Sequence, residues 1–301
     1  MSRASRARMA PWALLAPALA VIAVLLFYPL GRVVWLSFRH YDLRSLVSGE
    51  SEFVGFDNFA ALLGDSYLWT IVLPNTVVFA VAAVGGTVVF GTLVALLLQS
   101  LRPLWRTIVI SCVMVAWAMP AVTGTYVWRW IFDVDRGIVR ETLQAVGMLG
   151  PDGFNWFTER LTFYAIVVLN IVHHGFPFVA VTVLAGLLTV PRELHEAARI
   201  DGANGWQRFW NVSFPTLLPI FAVVTILSTI WDFKVFAQVY LMPGGAGTNE
   251  EIFNFGVWAY VESFTTGNYG TGAAIAVLLT LMLLAITVAY LKALFREDDP
   301  R

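Results

Sequence analysis

The sequence predicts an all-α integral membrane protein with six transmembrane helices, and three observations carry that expectation. Hydrophobic residues make up 58% of the chain and charged residues only 13%, with a mean hydropathy of +0.73, outside the range of ordinary soluble domains. The charges cluster, leaving six uncharged windows at 9–31, 66–101, 107–128, 161–191, 209–231 and 263–291. Each is at least 22 residues long, and a helix needs about 20 to cross the hydrocarbon. The windows lack the strict alternation of a barrel strand. Backbone amides in lipid must then be paired within the segment, so the spans are helices.

The first window follows Arg3, Arg6 and Arg8 and has the outline of a secretory signal. It is too long, however, and runs on through Tyr28-Pro29 with no small-residue cleavage site. It is expected to be a retained first helix, with a signal anchor as the alternative. The third window holds Cys112, the single cysteine, so no intrachain disulfide is possible. The fourth holds Asn170, His173 and His174. Trp12, Trp105 and Trp130 near helix ends are expected to be interfacial anchors. The longest connections, near 39–70, 131–160 and 241–270, are too short for an independent core, so residues 1–301 are expected to form one transmembrane domain. With the N-terminus in the cytoplasm, eleven arginines and lysines fall on inside segments and six on outside loops. The positive-inside rule therefore expects both termini in the cytoplasm.

A polar stretch at about 191–215 separates the fourth and fifth windows. Pro191 suits a helix start, Gly202 can end that helix in the left-handed region, and Pro215 is expected to stop the next helix. A small charged hairpin at the membrane surface is shaped to dock onto another protein, or to lie as an amphipathic connector at the interface.

Two chemistries are excluded. A P-loop needs lysine after glycine, but Lys234 follows Phe233 and Lys292 follows Leu291. The start His195-Glu196-Ala197-Ala198-Arg199 has arginine where a zinc protease needs its second histidine. No metal site, cofactor or catalytic residue is expected in this chain, and no nucleic-acid partner.

The fifth helix offers the best ligand surface. Ser228, Trp231, Asp232, Val235 and Gln238 recur at helical spacing and are expected to share one face. An indole supplies an apolar platform for a sugar ring, and the hydroxyl, carboxylate and amide match its hydroxyls. A carboxylate in this position costs on the order of 3 kcal/mol unless it faces a wet cavity or a partner. Asn170 and His174 are candidates for the same path, while His173 and Lys234 are left open. A gradient-driven transporter using Asp232, Lys234 and the histidines is the alternative; an integral-membrane enzyme lacks its nucleophile or metal constellation.

Glu196-Ala197-Ala198, two residues, Asp201-Gly202-Ala203, then Phe209 and Phe214-Pro215 resembles the coupling loop of binding-protein-dependent ABC importer permeases. Phe214 stands where that family more often has leucine. Further stretches resemble its carbohydrate (maltose-type) branch in the same order: Phe27-Tyr28-Pro29 with Ser37-Phe38, the loop Phe53 to Phe59, Pro74-Asn75-Thr76, Gly175-Phe176-Pro177-Phe178, and Pro243-Gly244-Gly245-Ala246-Gly247-Thr248 with its proline displaced. The resemblance extends to the trehalose importers of actinobacteria. It implies the type I importer fold in a bacterial inner membrane, a homologous and different permease partner, and an extracytoplasmic sugar-binding protein. It also implies two ATPase subunits that hold ATP and magnesium. Glu196, Ala197, Ala198, Asp201, Gly202 and Ala203 would couple to the ATPase. The resemblance also supports Ser228, Trp231 and Asp232 as sugar contacts.

Overall fold

A computed structural model describes residues 14–245 and 249–297, with backbone only from 293 onward. The N-terminal arginines, Trp12, Arg301 and Ala246-Gly247-Thr248 lie outside the described residues. Five helices are long and apolar enough to cross a membrane: α1 (Leu14–Ser37), α4 (Leu68–Ser100), α8 (Arg160–Leu187), the Leu218–Leu241 span and α14 (Tyr269–Glu297, apolar to Lys292). The expected third span is instead a broken pair, α5 (Pro103–Trp117) and α6 (Ala121–Ile131), bent by 91°. Pro120 explains the break: its ring clashes with the preceding turn and its nitrogen cannot donate, so it sits just outside α6 as the N-cap. The expected fifth helix at 209–231 is displaced to Leu218–Leu241 and is itself interrupted. α11 (Leu218–Phe233) ends before Lys234, and α12 (Ala237–Leu241) restarts after Phe236.

Backbone contacts divide the chain into two compact units, one running to Leu68 together with Trp258–Leu281, the other Trp69–Val257 with the chain from Met282 onward. In the first unit α1 is exposed along most of its length, with Val33 and Leu36 half-buried and only Ser37 buried. A two-stranded antiparallel hairpin, β1 (Arg39–His40) and β2 (Glu52–Phe53), follows it and brackets α2 (Leu43–Ser48). In α3 (Asp57–Gly64), the Asn58 side chain donates to the carbonyls of Ser37 and Arg39, both at 2.9 Å. One amide thereby pins the chain leaving α1, which is the structural work of the Asn58 motif.

The second unit is built on α4 against α8, the most extensive helix pair of the molecule. Small residues let the two backbones approach. A Cβ on Gly91 would lie 2.6 Å from Cβ of Val179, one on Gly86 2.8 Å from Cγ2 of Val172, and one on Gly175 2.9 Å from Cγ2 of Thr87. Close approach through small residues is how helices associate where lipid supplies no hydrophobic drive. Around the far ends of α4 and α8, Leu98, Val183, Leu187, Val190, Leu217 and Phe221 form a core with the start of α11. Asn75, at the other end of α4, donates to the carbonyls of Glu251 (2.9 Å) and Phe253 (2.8 Å) and accepts from Nε of Arg160. A side chain 3% exposed is thus fully bonded, as a buried amide must be. Trp105 and Trp130 are exposed. The helix α7 (Ile138–Ala145) lies in the 131–160 connection, and α13 (Phe255–Tyr260) precedes α14.

Candidate functional site

The hairpin forms where the sequence expects it. α9 (Arg192–Ile200) starts after Pro191, which serves as its N-cap. It ends in a Schellman arrangement: Ala203 N–H donates to Ala198 O at 2.9 Å and Gly202 N–H to Arg199 O at 3.0 Å, with Gly202 at φ +80°. That geometry needs a residue free of a Cβ penalty at the left-handed position. α10 (Gly205–Arg208) then starts in a capping box between Asn204 and Gln207, both bonds being 2.9 Å. Pro215 does not stop the chain's helical rise. The turn at Phe209–Ser213 widens to i→i+5 bonding and carries the chain through Phe214–Thr216 into α11, which accommodates a residue with no amide to donate.

Glu196, Ala197, Asp201 and Gly202 are exposed, and Ala198 and Ala203 partly so. Arg192, His195, Glu196 and Arg199, at helical spacing on one face of α9, line a cleft of about 590 Å³ with Gln99 and Ser100 of α4 and with Arg208. Away from the cleft the hairpin leaves Ile200 at 87% and Trp206 at 66% exposure, an apolar surface without cover among the described residues. Trp206, Trp210 and Phe214 pack ring to ring at 5.6 and 4.9 Å, stiffening the return strand of the hairpin. A rigid, charged platform with apolar tips has the composition of a docking surface.

A second cleft of about 510 Å³ lies at the break between α11 and α12. Trp231, Asp232, Lys234, Val235 and Gln238 line it, with His174 and Ile171 from α8 and Trp117 at the end of α5. Asp232 is 7% exposed, and its Oδ2 has no hydrogen-bond partner among the described residues. Lys234 is exposed, and the pair is not among the ion pairs of the described residues. Trp231 and Trp117 both pack on Phe178, at 5.1 Å edge-on and 6.3 Å stacked, so two indoles are held rigidly at the cleft wall. Pro177 inside α8 removes the amide that would bond the His173 carbonyl.

Several expectations are corrected here. The five residues expected on the fifth helix do not share one continuous helical face, because the helix is interrupted at Lys234; Val235 reaches the cleft from the turn that follows and Gln238 from α12. Ser228 and Asn170 are each 3% exposed and do not line this cleft. His173 is exposed against the rings of Trp128 and Phe176, at 5.8 and 6.4 Å. Sequence reasoning missed Trp117 and Phe236 in the wall, and Gln99, Ser100 and Arg208 in the hairpin cleft. Pro120 was the available signal for Trp117, since a break in a span exposes the residues that flank it.

Residues 87–297 match the model of the family described as binding-protein-dependent transport system inner membrane component. The chain belongs to that family. It is 37% identical over 297 residues to the diacetylchitobiose uptake system permease protein DasB of Streptomyces coelicolor, covering 98% of this chain and 90% of the relative. It is 32% identical over 288 residues to the trehalose/maltose transport system permease protein MalF of Thermococcus litoralis, covering 94% and 92%. Among solved structures, a bacterial ABC transporter involved in the import of the acidic polysaccharide alginate contains a chain that superposes with a TM-score of 0.80 at 18% identity, covering 97% of this chain and 96% of that one. The fold is that of a type I ABC importer permease. As a member of this family the protein is a transport subunit and not an enzyme.

Proposed function

We propose that this permease forms one half of the translocation path of an ATP-driven importer for a small oligosaccharide of the trehalose class, and that the Glu196 hairpin couples it to a separate ATPase. Two permeases similar to it are named for diacetylchitobiose uptake and for trehalose/maltose transport, which supports the substrate class. The observation that carries the reading is the 510 Å³ cleft, where two tryptophan rings stand beside a buried carboxylate oxygen that lacks a donor. Sugars stack on aromatic faces and offer many hydroxyl donors, so a sugar would satisfy both. Trp231, Asp232 and His174 line the path, and Ser228 and Asn170 are buried on the same two helices, α11 and α8.

Glu196, Ala197, Ala198, Asp201, Gly202 and Ala203 form the surface that meets the ATPase. Both termini and the hairpin lie in the cytoplasm, and residues 1–301 work as one transmembrane permease domain. The assembly contains a second, homologous permease, two ATPase subunits that hold ATP and magnesium, and an extracytoplasmic sugar-binding protein. ATPase closure pushes the hairpin, and the two permeases rock around the path. Uptake of labelled trehalose by the assembled importer in vesicles is the test. The reading expects uptake that requires ATP and survives an ionophore; uptake that an ionophore abolishes and that proceeds without ATP would return the chain to gradient-driven transport through Asp232 and Lys234.

A further inference from the structure

A third concavity runs between α4 and α8 and encloses about 480 Å³. Its floor and walls are Val78, Phe79, Ala82, Leu161, Ala165 and Val168. It follows the helices from Pro74 to Ala82 on one side and from Arg160 to Val168 on the other, about 12 Å at the usual helical rise. The polar atoms of its lining are already committed. The Asn75 amide donates to Glu251 and Phe253, and the Tyr164 hydroxyl to Ile252 O at 2.9 Å. Inside, a ligand therefore meets hydrocarbon alone, and a sugar would find no partners for its hydroxyls.

The rim differs from the walls. Arg160 spends Nε–H on Asn75 Oδ1, and its remaining guanidinium donors have no partner among the described residues. Leu161 at 83% and Val78 at 67% exposure flank the opening, so the groove faces the surroundings of the helices and not the path cleft. A guanidinium with free donors above an apolar trough is complementary to an anionic oxygen cluster carrying an acyl chain, because the planar fork matches phosphate geometry.

We propose that this groove binds an anionic phospholipid, one acyl chain lying between α4 and α8 and the phosphate held by Arg160. Small Ala82 and Ala165 leave the space for the chain, and the Arg160–Asn75 bond fixes the guanidinium over its mouth.

The test uses the complete importer, equilibrated with equimolar phosphatidylglycerol and phosphatidylcholine, with retained lipid identified by native mass spectrometry. A photoactivatable phosphatidylglycerol maps the contact. Wild type should retain phosphatidylglycerol about tenfold over phosphatidylcholine at this site, as a charge-assisted hydrogen bond implies, with cross-links at Val78 and Leu161. Arg160→Gln should lose the preference and Arg160→Lys should keep part of it. Because Arg160 also holds Asn75, the double variant Ala82→Phe, Ala165→Phe provides an independent arm: both positions are exposed, so it fills the trough and leaves the Arg160–Asn75 bond in place. It should abolish the cross-links while the subunits still copurify. Unchanged retention in the double variant, or cross-links absent from the groove because another subunit covers it, would overturn the proposal.

Discussion

Gly202 shows how one backbone angle organises the hairpin surface proposed to meet the ATPase. A Cβ there would meet nothing within 4 Å, so φ +80° is the sole obstacle to substitution. The strain for a β-branched residue at this angle is about 1–3 kcal/mol, enough to displace the Schellman turn and tilt α9. Asparagine tolerates the left-handed region. Gly202→Asn should therefore retain most uptake, whereas Gly202→Val should lose most of it while the ATPase continues to hydrolyse ATP. Equal uptake by the two variants would show that the turn geometry is irrelevant to coupling. The hairpin was legible in the sequence because its punctuation is local: Pro191 and Gly202 act within a few residues of themselves, although the Asn204–Gln207 box that starts α10 went unread. The roles of Asn58 and Asn75 were not, since each bonds carbonyls that only the tertiary fold brings near.

The pairing of α4 with α8 depends on where side chains are missing. At Gly91 a Cβ would fall 2.6 Å from Val179 Cβ and 3.1 Å from the Phe176 carbonyl, contacts that only backbone separation can relieve. Gly91→Leu should destabilise the assembled complex by about 1–3 kcal/mol, the usual range for overpacking, lowering its thermal midpoint. Adding Val179→Gly, which removes the Cβ at 2.6 Å, should restore part of the loss, and the lack of any rescue would place the fault elsewhere. Charge-free windows located most of the spans, but they report compatibility with lipid and not helix continuity. The bend between α5 and α6 was therefore missed although Pro120 stood in the window. The fifth span was truncated for the converse reason. Asp232 and Lys234 ended the uncharged window, yet the helical course runs on to Leu241 with Asp232 buried in it. The charge that ends the uncharged window, Asp232, is the one the sequence places on the path face of the fifth helix, and it lines the cleft.

Across the whole molecule, the features that look costly in isolation share one explanation. Among the described residues, α1 buries none of its apolar window, the hairpin exposes Ile200 and Trp206, and Asp232 keeps a buried oxygen without a donor. An unsatisfied buried oxygen costs about 1–3 kcal/mol, and a chain that functions within an assembly and against a substrate can recover such costs there. The central claim is that the cleft between α11 and α12 is the sugar path, and uptake by the reconstituted importer tests it, read beside subunit yield and thermal stability. Asp232→Ala should lower uptake and leave assembly intact, because no partner charge is stranded among the described residues. Trp231→Ala should weaken the platform by about 1 kcal/mol and reduce uptake more than Trp231→Phe. Wild-type uptake in both alanine variants would contradict the account and remove this cleft from the pathway.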